Sequence, residues 1–99
     1  MDELSKFRKN AWFLIGATRG GPMRARIMGM LIERPLNTNQ LAGRLSVDYK
    51  TAVHHLEVLK KNAWVTSGKE NYGELFFPTF TEEQKQAFLE ILGKTGKKY

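Results

Sequence analysis

The 99-residue sequence predicts a mainly α-helical domain carrying one small β-hairpin, an α+β arrangement with a helix at either end. Three observations lead there. A short helical periodicity, a three-residue break and a longer helical periodicity follow one another between Thr38 and Asn62. Two β-prone runs around a glycine-bounded turn come next, between Ala63 and Pro78. Amphipathic stretches with clear start signals flank both, at about 2–17 and 81–93.

In the first helix, about 2–17, Leu4, Phe7, Ala11, Leu14 and Ile15 form an apolar stripe, and Trp12 and Phe13 widen it. The stripe serves core packing or packing on a second copy of the chain equally well. Gly16, Gly20 and Gly21 end it, and Pro22 suits the first turn of a second helix running to Glu33. Ile27, Met28, Leu31 and Ile32 are its expected buried face, with Met23 and Met30 as further filler. Arg19, Arg24 and Arg26 cluster at its start, either as a solvated basic turn or as contacts to DNA phosphates. Pro35-Leu36-Asn37 leaves room for one rung of strand.

Asn37 and Gln40 form a capping-box pair for a short third helix, Thr38 to Leu45. Ser46-Val47-Asp48 is a tight connection, and Asp48 caps a fourth helix with Ala52, Leu56 and Leu59 on its inner face. That spacing is a helix-turn-helix at about 38–62. The outer face carries Tyr49, Lys50, Val53, His54 and Glu57, a mixed polar surface suited to a DNA groove. The adjacent histidines point to different sides, so His54 faces outward, His55 meets the core edge, and neither is a metal ligand. Lys60, Lys61 and Asn62 end the helix; asparagine tolerates the left-handed backbone such a stop needs.

The hairpin follows at about 64–78, with a tip over 68–73 that carries Lys69, Asn71 and Tyr72. A hairpin directly after a helix-turn-helix is the wing of a winged helix, although a hairpin that only closes the core has the same pattern. Thr81 with Gln84 opens the last helix, in which Ala87, Phe88, Ile91 and Leu92 form one edge and Gly93 marks the stop.

Sixteen Lys and Arg against ten Asp and Glu leave a net charge of +6, which draws a domain to polyanions and to nucleic acid first; solubility alone is the plainer account. The chain has no cysteine, which removes disulfides and thiolate metal sites. No apolar run has membrane-spanning length and the acidic start has no signal-peptide layout, so a cytoplasmic location is expected. No catalytic constellation stands out, since GATRGG lacks the lysine and hydroxyl of a phosphate-binding loop. No cofactor is expected.

The segment RARIMGMLIERPLNTNQLAGRLSVDYKTAVHHLEVLKKNAWV resembles the ArsR-like winged helix family of transcription regulators, most nearly its archaeal members. The tightest stretch is YKTAVHHLEVL, and the likeness covers about 24–79. The resemblance implies that Tyr49, Lys50, Thr51, Val53 and His54 face the major groove, that Lys69, Asn71 and Tyr72 lie at the wing tip, and that the first and last helices dimerise. Three features depart from the family: cysteine is absent, Asn62-Ala63 stands where a glycine-containing stop is usual, and Trp64 replaces an aliphatic residue. A sequence-specific homodimeric regulator of double-stranded DNA is the expected function. The alternatives are a protein-interaction module using Trp12, Phe13, Trp64, Phe76, Phe77 and Phe80, and a non-specific nucleoid binder.

Overall fold

A computed structural model of the chain describes residues 2–70 and 73–95. Among them are five α-helices and a three-stranded antiparallel sheet: α1 (Glu3–Ala11), α2 (Gly21–Glu33), β1 (Leu36–Asn37), α3 (Thr38–Leu45), α4 (Tyr49–Lys61), β2 (Val65–Glu70), β3 (Gly73–Pro78) and α5 (Glu82–Thr95). This is a winged helix-turn-helix with flanking helices. The chain forms two compact units, 1–26 with 80–99, and 27–79.

In the flanking unit, the Asp2 carboxylate accepts the Ser5 N–H at 2.7 Å and starts α1. Phe7, Ala11, Leu14 and Ile15 are buried there, as are Ala87, Phe88, Ile91 and Leu92 of α5. Phe80 bridges the two helices, edge-on to Phe7 at 5.1 Å and tilted to Phe88 at 5.6 Å. Arg8 and Glu90 close the outer side at 2.9 Å. The expected first helix does not stay α-helical to its end. Trp12–Ala17 is a π-helical turn, and Trp12 and Phe13, which already fall off the Phe7, Ala11 and Leu14 face by helical phase, point outward, 44% and 60% exposed. They therefore do not extend the stripe into this unit's core. Two glycines allow the crowding that follows. A Cβ on Gly16 would lie 2.8 Å from the Trp12 ring, and one on Gly21 would lie 2.5 Å from the Ile15 carbonyl oxygen. Helix α5 also passes through Gly93 and continues to Thr95, because an exposed glycine alone does not stop a helix.

In the second unit the rung at Leu36–Asn37 is present: Leu36 pairs with Phe76 and Asn37 with Leu75, giving strand order β1-β3-β2. Ile27, Met28 and Leu31 of α2 are buried, while Ile32 and Met30 are half-buried, as is Met23 in the flanking unit. The hairpin ladder runs to Glu70 opposite Gly73. Lys69, expected in the tip, is therefore a strand residue facing Glu74 across the ladder; Asn71 and Tyr72 lie outside the described residues. Trp64 and Phe76 are buried, which removes them from any partner surface.

Both helices of the helix-turn-helix end in the same way. Ser46 has φ 58°, with its N–H bonded to the Gly43 carbonyl and that of Val47 to the Ala42 carbonyl. Ala63 has φ 61°, with its N–H bonded to the Lys60 carbonyl and that of Trp64 to the Leu59 carbonyl. Each is a six-residue Schellman closure without glycine at its left-handed position. The stop assigned to Asn62 thus falls one residue later. Asn62 keeps φ at −90° and donates its side-chain amide to the Val58 carbonyl at 2.9 Å. Alanine in the left-handed region costs about 1 kcal/mol. Ala63→Gly should raise unfolding stability by roughly that amount, whereas Gly21→Ala should lower it by about 2 kcal/mol or more through overpacking against backbone. Urea titrations of the two variants check both signs.

Candidate nucleic-acid interface

Helix α4 is built so that one side holds the core and the other stays in solvent. Ala52, His55, Leu56 and Leu59 are buried, at helical spacing. Lys50, His54, Glu57 and Lys61 are exposed on successive turns, and Tyr49 is 55% exposed at the start. Thr51 and Val53 are half-buried at the edges of this strip. His54 and His55 divide between outside and inside as periodicity predicts, with ring centroids 5.4 Å apart.

Three local devices set the position of this face. The Asp48 carboxylate accepts the Thr51 N–H at 2.7 Å, which caps α4 and holds the carboxyl below the usual aspartate range. Upstream, Asn37 accepts the Gln40 N–H at 2.8 Å and Gln40 accepts the Asn37 N–H at 2.9 Å, a complete capping box for α3. Downstream, Lys60 Nζ donates to Ser67 Oγ at 3.2 Å, and Ser67 Oγ donates to Glu74 Oε2 at 2.7 Å. This relay joins the last turn of α4 to both wing strands.

Between α4 and the wing base runs a groove of about 240 Å³ walled by Thr38, Tyr49, Val53, Leu56, Glu57, Lys60, Glu74 and Phe76. A second, more polar notch lies among Asn37, Thr38, Asn39, Tyr49, Gly73 and Glu74. Thr38, Tyr49 and Glu74 belong to both, so the starts of α3 and α4 and the wing share one concave surface.

Of the residues expected to bind DNA, Lys50 and His54 lie on the outer strip of α4, Tyr49 and half-buried Val53 at its wing edge, half-buried Thr51 at the opposite edge, and Lys69 is exposed on β2. Arg26 is half-buried in α2. Arg24 departs from expectation. It is only 6% exposed; its Nε donates to the Leu14 carbonyl at 2.9 Å and its Nη2 to Thr18 Oγ1. Burial pushes its pKa down, and the guanidinium serves the turn before α2 instead of a phosphate. Its position among Arg19, Arg24 and Arg26 conceals this, because the acceptors lie six and ten residues earlier. Sequence reasoning did not mark Thr38, Lys60, Ser67 or Glu74 for the site. For Lys60 the signal available is its i, i+4, i+11 spacing with Tyr49 and Val53, which puts the three on one strip of α4. Among the described residues no group of three or more His, Asp or Glu is placed to hold a metal ion, and no helix is long and apolar enough to cross a membrane.

The Asp48 cap makes the start of α4 sensitive to acid. The folded-state pKa lies below the unfolded value of about 3.9, so the cap's stabilisation is fully present above that value and is lost as pH falls through the folded pKa. Asp48→Asn retains a capping oxygen without the titration. Thermal unfolding of the wild type and variant should therefore run parallel at neutral pH and converge or cross below about pH 4.

Residues 21–63 match the family described as bacterial regulatory protein, arsR family. No curated protein sequence matches the chain. Among solved structures, HlyU from Vibrio cholerae is similar with a TM-score of 0.69 at 22% identity, covering 95% of this chain and 96% of that one. The transcriptional repressor BigR from Xylella fastidiosa has a TM-score of 0.65 at 16% identity over 96% of both chains. The adhesin competence repressor AdcR from Streptococcus pyogenes has 0.63 at 19% identity, over 96% of this chain and 75% of that one. At these identities the structural likeness establishes the fold.

Proposed function

We propose that this protein, whose residues 21–63 match the arsR family of regulatory proteins, is a sequence-specific regulator of transcription that binds double-stranded DNA as a homodimer in the cytoplasm. The observation that carries the reading is the solvent-facing side of α4: Tyr49, Lys50, Thr51, Val53 and His54 on a rigid, capped helix, beside a wing tied to it through Lys60, Ser67 and Glu74. A helix presenting donors and a methyl-bearing side chain on one face suits the major groove, where base pairs differ in their donor and acceptor pattern. Lys50 and His54 supply donors, and Val53 supplies an apolar contact for a thymine methyl. Lys69, with Asn71 and Tyr72 beyond it, serves the wing contact to phosphates or the minor groove. Arg26 is a phosphate contact in this reading, and Arg24 is not, because its guanidinium is turned inward. The net charge of +6 supports attraction to the duplex. The protein performs no chemistry on its ligand.

The domain is read as one winged helix of 1–99, with helix-turn-helix 38–62, wing 64–78 and dimerisation helices 2–17 and 81–93. Trp12, Phe13 and Leu89 favour self-association, since they leave apolar surface exposed on the two flanking helices. A two-fold dimer would present its α4 helices to successive major grooves about 34 Å apart.

Selection of duplex DNA from a random pool tests the reading and should return a site with two-fold symmetric halves about one helical turn apart. Lys50→Ala and His54→Ala should each weaken that site by about 10-fold or more, and raising salt should weaken it steeply. Equal affinity for all duplexes would favour nucleoid packing; no salt-sensitive DNA affinity would favour a protein-interaction module. For the dimer, Trp12→Ser combined with Phe13→Ser should shift the mass at micromolar concentration, measured by light scattering, from dimer to monomer.

A further inference from the structure

The exposed strip of α4 contains one side chain that works against attraction to DNA. Glu57 is the single carboxylate in α4 and stands in solvent one turn beyond Val53 and His54. Beside a phosphate backbone an unpaired negative charge lowers affinity for every duplex alike. Its neighbours should neutralise it, since Lys60 and Lys61 follow at i+3 and i+4. In other helices of this protein that arrangement closes: Glu3 meets Lys6 at 3.7 Å and Glu82 meets Lys85 at 3.8 Å. In α4 it does not. Lys60 Nζ goes to Ser67 Oγ, which is in turn held by Glu74. Among the described residues Glu57 has no ion pair, and its side chain walls the same groove as Tyr49 and Val53. The wing relay thus engages one of the two neighbouring lysines, no ion pair joins Glu57 to the other, Lys61, among the described residues, and an acceptor is left open on the reading face.

An ionised carboxylate only accepts hydrogen bonds. In the major groove the base-edge donors are the N4 amino group of cytosine and the N6 amino group of adenine. Adenine places the N7 acceptor beside its amino group, where it repels a carboxylate; cytosine has no acceptor on that side. Glu57 lies seven residues after Lys50, about 10 Å along the helix axis, within the roughly 12 Å width of the groove. We infer that Glu57 is a specificity-determining residue that reads a cytosine amino group, giving up general affinity for discrimination at one base pair in each half-site. This rests on the DNA-binding reading above and assigns a base to a residue outside its contact set.

Selection from a random duplex pool with the full-length wild type, Glu57→Ala and Glu57→Gln tests it. The wild type should show a cytosine at one position of each half-site, and replacing it should weaken binding about 10- to 100-fold. Glu57→Ala should lose the preference at that position alone and bind mixed-sequence duplex more tightly than the wild type. Glu57→Gln should move the preference toward adenine, which glutamine contacts in bidentate fashion. Matched thermal unfolding of the exposed-site variants confirms that the fold is retained. If all three proteins select the same site with the same base preferences, the role of Glu57 is overturned and the regulator reading stands. If the wild type selects no sequence at all, the regulator reading itself fails and takes this inference with it.

Discussion

Left-handed backbone at Ser46 and Ala63 decides where the exposed helix of this protein begins and ends. Each residue closes a Schellman motif, so the carbonyls at the ends of α3 and α4 are satisfied within the turn and the chain can change direction at once. Ser46 delivers the chain to Asp48, whose carboxylate starts α4. Ala63 delivers it to Trp64, which is buried and whose carbonyl accepts the Thr79 N–H. The helix-turn-helix and the wing base are consequences of two residues held in a conformation that their side chains disfavour. The surrounding hydrogen bonds over-determine that conformation, which is how such strain persists.

Polar connections then divide the surface of α4 into two strips. One strip, Lys50, His54, Glu57 and Lys61, stays open to solvent. The other turns Tyr49, Val53 and Lys60 toward the wing, where Ser67, itself donating to Glu74, accepts from the Lys60 ammonium. Exposed lysine bonds of this kind contribute little stability. Their effect is positional: they set which charges on the helix remain available and how the first strand pair stands against it.

Much of the fold could be read from the residues because its determinants are local. The Asn37–Gln40 box, the Asp48 cap and the 3.6-residue periodicity of Ala52, Leu56 and Leu59 depend on neighbours within a few positions. The same holds for the outward His54 and inward His55. What escaped depends on distant partners or on backbone winding. Arg24 looks like a surface cation until the Leu14 carbonyl is placed beside it. Lys60 looks like a dipole-balancing lysine until the hairpin brings Ser67 to it. The helix stop moved from Asn62 to Ala63 because the hydrogen-bond pattern, not residue preference, chose the left-handed position. Lys69 passed from tip to strand because pairing continued to Glu70 and Gly73. The candidate DNA face was legible as a surface; the groove beside it was not.

The π-helical turn at Trp12–Ala17 gives the flanking unit an unusual kind of dependence. A π turn holds one residue more than the α turn it replaces, and each residue of an α-helix advances the winding by about 100°. The direction in which the chain leaves this segment is therefore a matter of counting: it is encoded in the number of residues between α1 and α2 as much as in their identities. Loss of one residue after Phe13 would restore α-helical phase and rotate the exit at Ala17 by about 100° about the axis, leaving the outward Trp12 and Phe13 in place. A single-codon deletion would thus redirect the chain after α1, a step that tables of substitutions would not register.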